Sequence, residues 1–313
     1  MNNSYLSLDL GGSKLLVGEI NDRGEILNYK RYKTGDINQE SALKIIKDSI
    51  DDFESTIGWA TDNRPEAMGI GLIGRVDNKA GIWHQIDTNK TMPLQLAREL
   101  STLCNMPCYI DNDVKAATRA EQLWGYGQES DDFIYINIGT GIAAGIVTGG
   151  KLIRGGHFNA GEVGHTNVGM KLGLKCICGR EDCVELIAAG VGFDKSARLL
   201  KDTYTSNLFI PESERVDVRD VFNLSCFGDE LCYCLIENAA WAISSLIMNL
   251  VRVTDPDTVV LGGGLLSNGL LYPKIIEHLN QKTVRFVTNG VVLTKLNPDY
   301  IGLIGAAAVA MNK

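Results

Sequence analysis

The chain has 313 residues, of which 45 % are hydrophobic and 22 % are charged, values typical of a soluble globular protein of two domains. Its net charge of −8 disfavours nucleic acid as a partner, because phosphate backbones demand a basic face. We find no basic amphipathic run, no apolar stretch of about 18 residues and no signal peptide, so we predict a cytoplasmic protein without a membrane partner.

The first predicted element is a β-hairpin closed by a glycine-rich turn. Two short apolar runs between residues 5 and 20 flank Gly11, Gly12 and Ser13. Glycine lets backbone N–H groups approach an anion closely and the Ser13 hydroxyl adds a donor, so the turn is typical of a phosphate-binding loop. Asp9, just before the turn, can orient Mg²⁺ or its waters beside nucleotide phosphates. Lys14, just after it, either neutralises phosphate charge or is a solvated strand residue.

Apolar spacing predicts alternating helices and strands over the following segment. We expect a helix over 39–58, a buried strand over 68–73, a helix over 93–103 with Pro93 near its start, a strand over 107–110 and a helix over 114–123. Ligands of α/β proteins bind at the carboxyl ends of strands, which predicts that Asn112 and Asp113 lie in a binding crevice. An aspartate there can accept the proton of an attacking hydroxyl, as phosphoryl transfer requires. The alternative is that these polar residues only cap the following helix.

The opening pattern returns in the middle of the chain. Residues 133–147 again predict two strands joined by a glycine turn, Gly139-Thr140-Gly141, whose hydroxyl and backbone donors suit phosphate. Because Asp9-Leu10-Gly11 aligns with Asn137-Ile138-Gly139, we interpret the pattern as an internal repeat of two related halves. The alternative is that hairpins with glycine turns are common. A third glycine turn, Gly262-Gly263-Gly264, follows a buried strand predicted over 258–261.

Helices predicted over 237–251 and 302–310 complete the set, and the alternation of strands with helices predicts an α/β fold. The sequence contains no Walker A motif, which argues against a P-loop NTPase. The turn at Gly139 leads into a strand rather than a helix, which argues against a dinucleotide-binding site for NAD.

The most specific chemical signal is a cluster of histidine and cysteine residues. It comprises His165, Cys176, Cys178 and Cys183, the cysteines lying in a short loop with glycine and little apolar material. Nitrogen and sulfur ligands at this spacing are typical of tetrahedral Zn²⁺, and a metal can organise a loop that has no apolar core. The sequence therefore predicts a structural zinc site, the alternative being chance cysteines in a turn. Glu162 and Glu185 flank the cluster, so we expect the metal to hold an imidazole and carboxylates in place.

Taken in order, these motifs resemble those of the ROK family of repressors, open reading frames and sugar kinases. The resemblance covers nearly the whole chain, and its segments are DLGGSK from Asp9 with Gly18, DNDVKAA from Asp111, GTGIAAG from Gly139, AGEVGH from Ala160, CICG from Cys176, CVE from Cys183 and LGGG from Leu261. It implies the hexokinase–actin-like ATPase fold, with two related ribonuclease H-like domains and an interdomain cleft. The implied small N-terminal α/β domain spans 1–113 with the C-terminal helix at about 298–313, and the larger α/β domain with the zinc loop spans 114–297.

The resemblance also implies residue roles. Asp113 matches the catalytic base that takes the proton from the sugar hydroxyl, and the sugar-binding positions match Asn112, Glu162, His165, Glu185 and Gly74. The two phosphate loops match Gly11, Gly12 and Ser13, and Gly139, Thr140 and Gly141, while Gly262 and Gly263 match the turn near the adenosine. His165 would place one ring nitrogen on zinc and the other on a sugar hydroxyl, so that the metal fixes its tautomer. The implied cofactors are ATP, Mg²⁺ and structural Zn²⁺, and the implied assembly is a homodimer.

Three departures from the family pattern fall near the sugar and in the zinc loop. Ile73 stands where a proline often precedes the sugar-loop glycine, the segment Trp83–Asn89 replaces a Pro-Asn element, and Asp182 replaces a glycine before the last cysteine. The first two put glucose as the substrate in doubt. We predict that Trp83 and His84 lie in a loop, where His84 either contacts the sugar or is solvated. We predict an ATP-dependent kinase that phosphorylates the primary hydroxyl of a hexose or hexose derivative.

Two other functions are considered. A sugar-responsive transcriptional regulator of the same family would need a helix-turn-helix domain before the first glycine turn, but only eight residues precede Asp9 and the net charge is −8. A sugar-binding member that has lost catalysis is disfavoured because Asp113 and both phosphate loops are present.

Overall fold

The computed structural model describes residues 3–12, 14–35, 37–61, 63–87 and 89–311. These residues form two compact units. The first unit comprises the chain up to Glu129, the segment Leu152–Ala160 and the chain from Lys295 onward. The second unit comprises Ser130–Lys151 and Gly161–Thr294. The segment Leu152–Ala160 thus belongs to the first unit although the residues on both sides of it belong to the second.

The first unit is built on a mixed sheet of five strands. The strands of the whole unit are β1 (Ser4–Leu10), β2 (Lys14–Asn21), β3 (Ile26–Lys33), β4 (Met68–Leu72), β5 (Arg75–Asp77), β6 (Ile82–Gln85) and β7 (Cys108–Asn112). Its helices are α1 (Gln39–Thr56), α2 (Leu96–Cys104) and α3 (Asp113–Trp124). The sheet order is β3-β2-β1-β4-β7, in which β1, β2 and β3 are antiparallel and β1, β4 and β7 are parallel. Strands β5 and β6 form a separate antiparallel pair.

Helix α1 forms where the sequence predicts it, and local side-chain chemistry fixes its start. Asn38 caps the helix, since its side chain accepts a hydrogen bond from the backbone N–H of Ser41, whose own side chain accepts one from the backbone of Asn38. The predicted apolar face is buried at Ala42, Ile46, Ile50 and Phe53. These side chains belong to the same apolar core as the inner residues of β1 and β4.

Two local predictions in this unit are wrong, and backbone pairing explains both. Helix α2 begins at Leu96 rather than at Pro93, because Leu94 is bridged to Trp83 through hydrogen bonds between their backbones of 2.9 and 3.0 Å. The segment that contains Trp83 and His84 is strand β6 rather than a loop, and the Trp83 side chain is fully buried. Its indole N–H donates to the carbonyl of Ile73 over 2.9 Å.

The second unit repeats the strand order of the first. Its strands are β8 (Phe133–Ile138), β9 (Ile142–Thr148), β10 (Lys151–Leu152), β11 (Thr258–Gly262) and β12 (Gly290–Leu293), and its helices are α4 (Glu185–Ala188), α5 (Gly190–Leu200), α6 (Val218–Cys226), α7 (Glu230–Thr254) and α8 (Leu271–His278). The sheet order is β10-β9-β8-β11-β12, with β8 antiparallel to β9 and parallel to β11. The predicted α/β fold with two related halves is therefore confirmed.

Helix α7 organises the core of the second unit. By length and composition it could cross a membrane, but 61 % of its most apolar window is buried inside the protein, as in the core helix of many soluble proteins. It packs against α4, α5, α6 and α8. Its buried residues include Leu235, Ile243 and Leu246, which join the largest apolar cluster of the unit.

The C-terminal helix α9 (Ile301–Ala310) packs against the first sheet at very short range. Helix α3 lies against both α9 and β4, so the structure groups α3 with the first unit, whereas the sequence-based division at residue 113 separates them. A Cβ atom on Gly69 of β4 would lie 1.9 Å from the backbone oxygen of Ala306. The close approach of α9 to β4 therefore requires glycine at this position.

Gly69→Ala is expected to destabilise the protein by about 3 kcal/mol, because a backbone oxygen cannot move aside as a flexible side chain does. Gly156→Ala is the matched control, since Gly156 is exposed and a Cβ atom there meets nothing within 4 Å. Urea unfolding of both variants measures the difference. If Gly69→Ala unfolds at the same urea concentration as Gly156→Ala, the packing of α9 on β4 is looser than described.

Candidate active site and metal centre

The carboxyl ends of three parallel strands bring the predicted residues of the first unit to one edge of its sheet. Asp9 of β1 lies opposite Gly71 of β4, and Leu72 of β4 lies opposite Asn112 of β7. The turn that follows β1 contains Gly11, whose N–H donates to the carbonyl of Lys14 over 2.9 Å. Gly11, Gly12, Gly74, Asn112 and Asp113 therefore follow or end neighbouring strands at the edge where α/β sheets bind ligands.

Asn112 and Asp113 are held by a network of hydrogen bonds. Asn112 caps α3, as the capping alternative predicted, because its Oδ1 accepts from the backbone N–H of Lys115 over 3.2 Å. Its amide Nδ2 donates to Asp113 Oδ1 over 2.9 Å and to the carbonyl of Gly74 over 3.1 Å. Asp113 Oδ1 also accepts from the backbone N–H of Val114 over 2.9 Å. Asn112 thus caps α3 and also orients the Asp113 carboxylate.

Gly74 has no room for a side chain. Its φ of 83° lies in the left-handed region, and a Cβ atom would lie 2.1 Å from the carbonyl oxygen of Gln85. Because the Gly74 carbonyl accepts from Asn112, the turn after β4 and the end of β7 are joined directly.

The Asp9 carboxylate lies beside the first turn of α9, where a Cβ atom on Gly302 would approach it to 2.6 Å. Burial raises the pKa of the Asp9 carboxyl, and the charge of Lys14 lowers it by a smaller amount. A buried carboxylate is a group that a nearby cation stabilises in its ionised form. Lys14 itself is exposed as the first residue of β2, and Ser13 lies outside the described residues.

In the second unit, two of the predicted glycine turns lie at one sheet edge. Gly139, Thr140 and Gly141 connect β8 to β9, and Gly262 of β11 lies opposite Asn137 of β8. Gly263 follows with a φ of 99°, and a Cβ atom there would lie 2.4 Å from the carbonyl oxygen of Ile138. The end of β11 therefore lies directly against the end of β8. The start of α5 also meets the first of these turns, because the N–H of Gly190 donates to the carbonyl of Gly139 over 2.9 Å.

Glu185 lies against the same turn. Its Oε2 accepts from the backbone N–H of Ile142 over 3.0 Å, and a Cβ atom on Gly141 would lie 2.6 Å from that oxygen. The residue before it, Val184, donates its backbone N–H to Thr166. The carboxylate thus has a defined position between the glycine turn and the segment that contains His165.

The segment with Glu162 and His165 packs on β9 through two glycines. The N–H of Ala144 donates to the carbonyl of Gly161 over 2.8 Å, and a Cβ atom on Gly161 would lie 1.9 Å from the carbonyl oxygen of Ala144. A Cβ atom on Gly164 would lie 2.2 Å from the carbonyl oxygen of Ile142. A short 3-10 turn, Val163–His165, follows, with Glu162 exposed and His165 half-buried.

The four predicted metal ligands converge. The ligand atoms of His165, Cys176, Cys178 and Cys183 all lie within 4.8 Å of one another. His165 Nδ1 lies 3.5 Å from Cys176 Sγ, and Cys178 Sγ lies 3.6 Å from Cys183 Sγ. Tetrahedral zinc, with Zn–S of about 2.3 Å and Zn–N of about 2.0 Å, separates two sulfurs by roughly 3.8 Å and a sulfur from a nitrogen by roughly 3.6 Å. The donor set and its spacing fit Zn²⁺.

The pKa values of two thiols in the cluster are shifted in opposite directions. Burial and the neighbouring thiols of Cys178 and Cys176 raise the pKa of Cys183 to about 12. A hydrogen bond from the backbone of Arg180 lowers the pKa of Cys178, which is exposed. The cluster therefore combines buried and solvent-facing sulfurs within one loop.

Asp182 is a buried anchor of this loop that the sequence did not identify. Its Oδ1 accepts from the backbone N–H of Leu174 over 2.8 Å, and its Oδ2 accepts from the N–H groups of Leu172 and Gly173 over 3.1 Å each. The φ of Asp182 is 52°, in the left-handed region that glycine adopts readily, which accounts for the glycine at this position in the family pattern. An aspartate next to the last cysteine could have been recognised as a loop anchor only from the fold, because its partners are backbone groups.

Asp182→Asn is expected to destabilise the protein by about 1–3 kcal/mol, because the amide nitrogen cannot accept from the N–H groups that one carboxylate oxygen now satisfies. Asparagine tolerates the left-handed backbone, so strain does not contribute. Glu181→Gln is the control, since Glu181 is exposed. Thermal unfolding distinguishes the variants, and equal melting temperatures would show that the carboxylate does not hold the loop.

The sequence model of the ROK family matches residues 5–313. An N-acetylmannosamine kinase of Shigella flexneri is 30 % identical over 312 residues, which cover 99 % of each chain. A glucokinase of Halalkalibacterium halodurans is 27 % identical over 298 residues, which cover 91 % of this chain and 88 % of the relative.

Two solved structures resemble the fold over nearly all of this chain. A ROK hexokinase from Thermus thermophilus matches with a TM-score of 0.77 at 27 % identity and covers 100 % of this chain and 98 % of its own. A ROK family transcriptional regulator, described as a homologue of the E. coli MLC protein, matches with a TM-score of 0.82 at 25 % identity. The match to the regulator covers 98 % of this chain but 77 % of the regulator.

Proposed function

Because the chain belongs to the ROK family, we propose that it is an ATP-dependent sugar kinase that transfers the γ-phosphoryl group to a primary hydroxyl of a hexose or hexose derivative. The relatives named glucokinase and N-acetylmannosamine kinase support this reaction class, since the chain matches them over most of their length. The observation that carries the proposal is the placement of Asp113 at the carboxyl end of β7, oriented by Asn112 beside the turn that contains Gly74.

Asp113 is the proposed base. Phosphoryl transfer needs alignment of an attacking hydroxyl, an acceptor for its proton and neutralisation of phosphate charge. The two hydrogen bonds to Asp113 Oδ1 fix the plane of the carboxylate, so that a sugar hydroxyl meets an oriented acceptor. Asn112 acts as a positioning residue because its amide N–H groups donate to Asp113 and Gly74, and its proposed contact with the sugar is therefore made by Oδ1.

The proposed sugar-binding groups of the second unit are Glu162, His165 and Glu185. The Nδ1 atom of His165 faces Cys176, which leaves the opposite ring nitrogen to contact a sugar hydroxyl. Zinc held by His165, Cys176, Cys178 and Cys183 would supply a rigid anchor that fixes the imidazole tautomer and orientation. Glu185 is already oriented by the N–H of Ile142, which supports a role as a fixed acceptor for sugar hydroxyl protons.

The proposed ATP-binding groups are the glycine turns of both units. The backbones of Gly12 and, in the sequence, Ser13 offer N–H donors to phosphate oxygens, as do those of Thr140 and Gly141. The N–H groups of Gly11 and Gly139 close these two turns by donating to the carbonyls of Lys14 and Gly141. Gly262 and Gly263 would face the adenosine. Asp9, whose half-buried carboxylate a cation would stabilise, is the proposed partner of Mg²⁺ or its waters, and Lys14 would add positive charge.

A coupled ADP-release assay with Mg-ATP tests the proposal. The panel contains glucose, fructose, mannose, N-acetylmannosamine, N-acetylglucosamine and a β-glucoside. We expect one sugar to exceed the others in kcat/KM by at least about 10-fold, the discrimination that one missing or added substituent contact gives. Absence of sugar-dependent ADP release from zinc-loaded protein with every sugar would contradict the proposal.

A sugar-responsive regulator is the second candidate, favoured by the structural match to the ROK transcriptional regulator. About a quarter of that regulator lies outside the match, whereas the N-acetylmannosamine kinase is matched over 99 % of its length. Binding of duplex DNA by the purified protein, changed by sugar, together with no ADP release, would favour the regulator. We further propose that the protein is cytoplasmic and that it forms a homodimer. Light scattering of the purified protein tests the homodimer.

A further inference from the structure

Asp111 is a buried acidic residue of strand β7, two positions before the proposed base Asp113. Its side chain is 2 % exposed. Burying an ionised carboxylate costs free energy, and replacing a buried ion pair by apolar residues of similar volume is often neutral or stabilising. Stability alone therefore does not account for a charged residue at this position.

Three hydrogen bonds hold the Asp111 carboxylate in one orientation. Arg154 donates two of them, from Nη1 to Oδ1 and from Nη2 to Oδ2, each over 2.7 Å. The third comes from the backbone N–H of Asn112, which donates to Oδ1 over 2.9 Å. A two-pronged pair of guanidinium and carboxylate fixes both the distance and the plane of the carboxylate. The oxygen that Asn112 contacts is therefore held in place by Arg154.

Asn112 connects this ion pair to the base. Its backbone N–H donates to Asp111, while its side-chain Nδ2 donates to Asp113 Oδ1 over 2.9 Å and to the carbonyl of Gly74 over 3.1 Å. Because the side chain that orients Asp113 is carried by this backbone, a shift of the backbone also shifts the hydrogen bond to the base. The contacts therefore run from Arg154 to the base through the last two residues of β7.

Arg154 reaches β7 from a distant part of the chain. It belongs to the segment Leu152–Ala160, which the structure groups with the first unit. The segment folds back on itself, since the N–H of Ala160 donates to the carbonyl of Arg154 over 3.2 Å. Phe158 has a φ of 60°, a left-handed conformation that a bulky residue keeps only where its surroundings hold it. The guanidinium is thus presented by a compact loop rather than by an extended linker.

We propose that Arg154 is a positioning residue that acts, through Asp111 and the backbone of Asn112, on the proposed base. This inference rests on the proposed function, in which Asp113 accepts the proton of the sugar hydroxyl. In this role Arg154 needs no contact with sugar or phosphate. Without its guanidinium, the buried Asp111 carboxylate loses its two-pronged partner and shifts toward water, and the N–H of Asn112 shifts with it. The base is then misaligned, and a misplacement of about 1 Å costs roughly 100-fold in rate.

The turnover of Arg154→Gln, measured in two backgrounds, tests the proposal. In the otherwise unaltered protein we expect kcat to fall by about 10- to 100-fold and KM for ATP to stay within about 2-fold. In the Asp113→Asn background no base remains to be positioned. The same change should then lower the residual turnover by less than about 2-fold, because residues that act through one group are not additive. A loss of folded protein would instead lower turnover by the same factor in both backgrounds.

Two further variants serve as controls. Arg154→Lys keeps the positive charge but replaces the guanidinium fork by a single ammonium, so we expect it to recover part of the loss in kcat. Arg198→Gln is the matched control, because it also removes a partly buried ion pair of arginine with aspartate, Asp194 in α5 of the second unit. Its kcat should equal that of the unaltered protein. If Arg154→Gln does not fold by circular dichroism, Arg154→Lys is compared in the two backgrounds instead.

Equal kcat in Arg154→Gln and the unaltered protein, or equal losses in both backgrounds, would overturn the proposal. A crystal structure of Arg154→Gln gives a second measurement that does not depend on the reaction. We expect the hydrogen bond from Asn112 Nδ2 to Asp113 Oδ1 to be lengthened or broken, and its retention at 2.9 Å would overturn the positioning role. If the unaltered protein releases no ADP with any sugar, the proposed function fails, and the crystal structure still decides whether Arg154 positions these residues.

Discussion

Asp113→Asn is expected to lower turnover by about 10²- to 10⁴-fold, the usual contribution of a positioned base. The amide can keep its oxygen toward the N–H of Val114 and the amide of Asn112, so the fold at the end of β7 should persist. Because only the proton acceptor is lost, the dissociation constants for sugar and ATP should change little. The variant thus separates chemistry from binding.

The measurement combines ADP release under saturating substrates with calorimetric titration of the sugar. Asp51→Asn is the control, an exposed aspartate of α1 given the same chemical change. A variant at position 113 that retains full turnover would exclude Asp113 as the base. Loss of sugar affinity together with turnover would instead assign Asp113 to binding.

Cys178→Ser is expected to release the metal and to weaken sugar binding by at least about 10-fold, the effect seen when groups that orient a site residue are lost. Cys178 Sγ lies 3.6 Å from Cys183 Sγ, and the His165 ring is held in the same cluster. Without the fourth ligand, the imidazole loses its anchor and samples orientations that do not face the sugar. Catalysis falls because the sugar is no longer aligned.

Zinc content by atomic emission, measured beside sugar affinity, tests this coupling. Cys226→Ser provides the control, because Cys226 is also an exposed free thiol of the second unit. We expect one zinc ion per chain in the control and much less in Cys178→Ser. Full sugar affinity in a metal-free Cys178→Ser variant would show that the cluster does not position His165.

The sequence identified the elements whose causes are local. Apolar runs interrupted by glycine predicted both hairpins, since strand and turn preferences depend on a few adjacent residues. Helical spacing of apolar residues predicted α1 for the same reason. The cluster of His165 with the three cysteines was also predicted from spacing. Three of the four ligands lie on one short loop and the fourth precedes it closely in the sequence, so they can meet with little help from distant parts of the chain.

The tertiary structure decided the features that depend on distant partners. Antiparallel pairing with β5 makes the segment that was predicted to be a loop into strand β6. The bridge between Trp83 and Leu94 moves the start of α2 to Leu96. Glu185 was assigned to the sugar, but the fold also places its carboxylate on the backbone N–H of Ile142.

The ion pair of Arg154 with Asp111 joins residues far apart in the sequence, and it exists because the segment Leu152–Ala160 returns to the first unit. Sequence spacing reports local conformational preference and ligand chemistry. It does not report which buried charge, backbone N–H or carbonyl a side chain will meet, because that is settled by packing of the whole sheet and its helices.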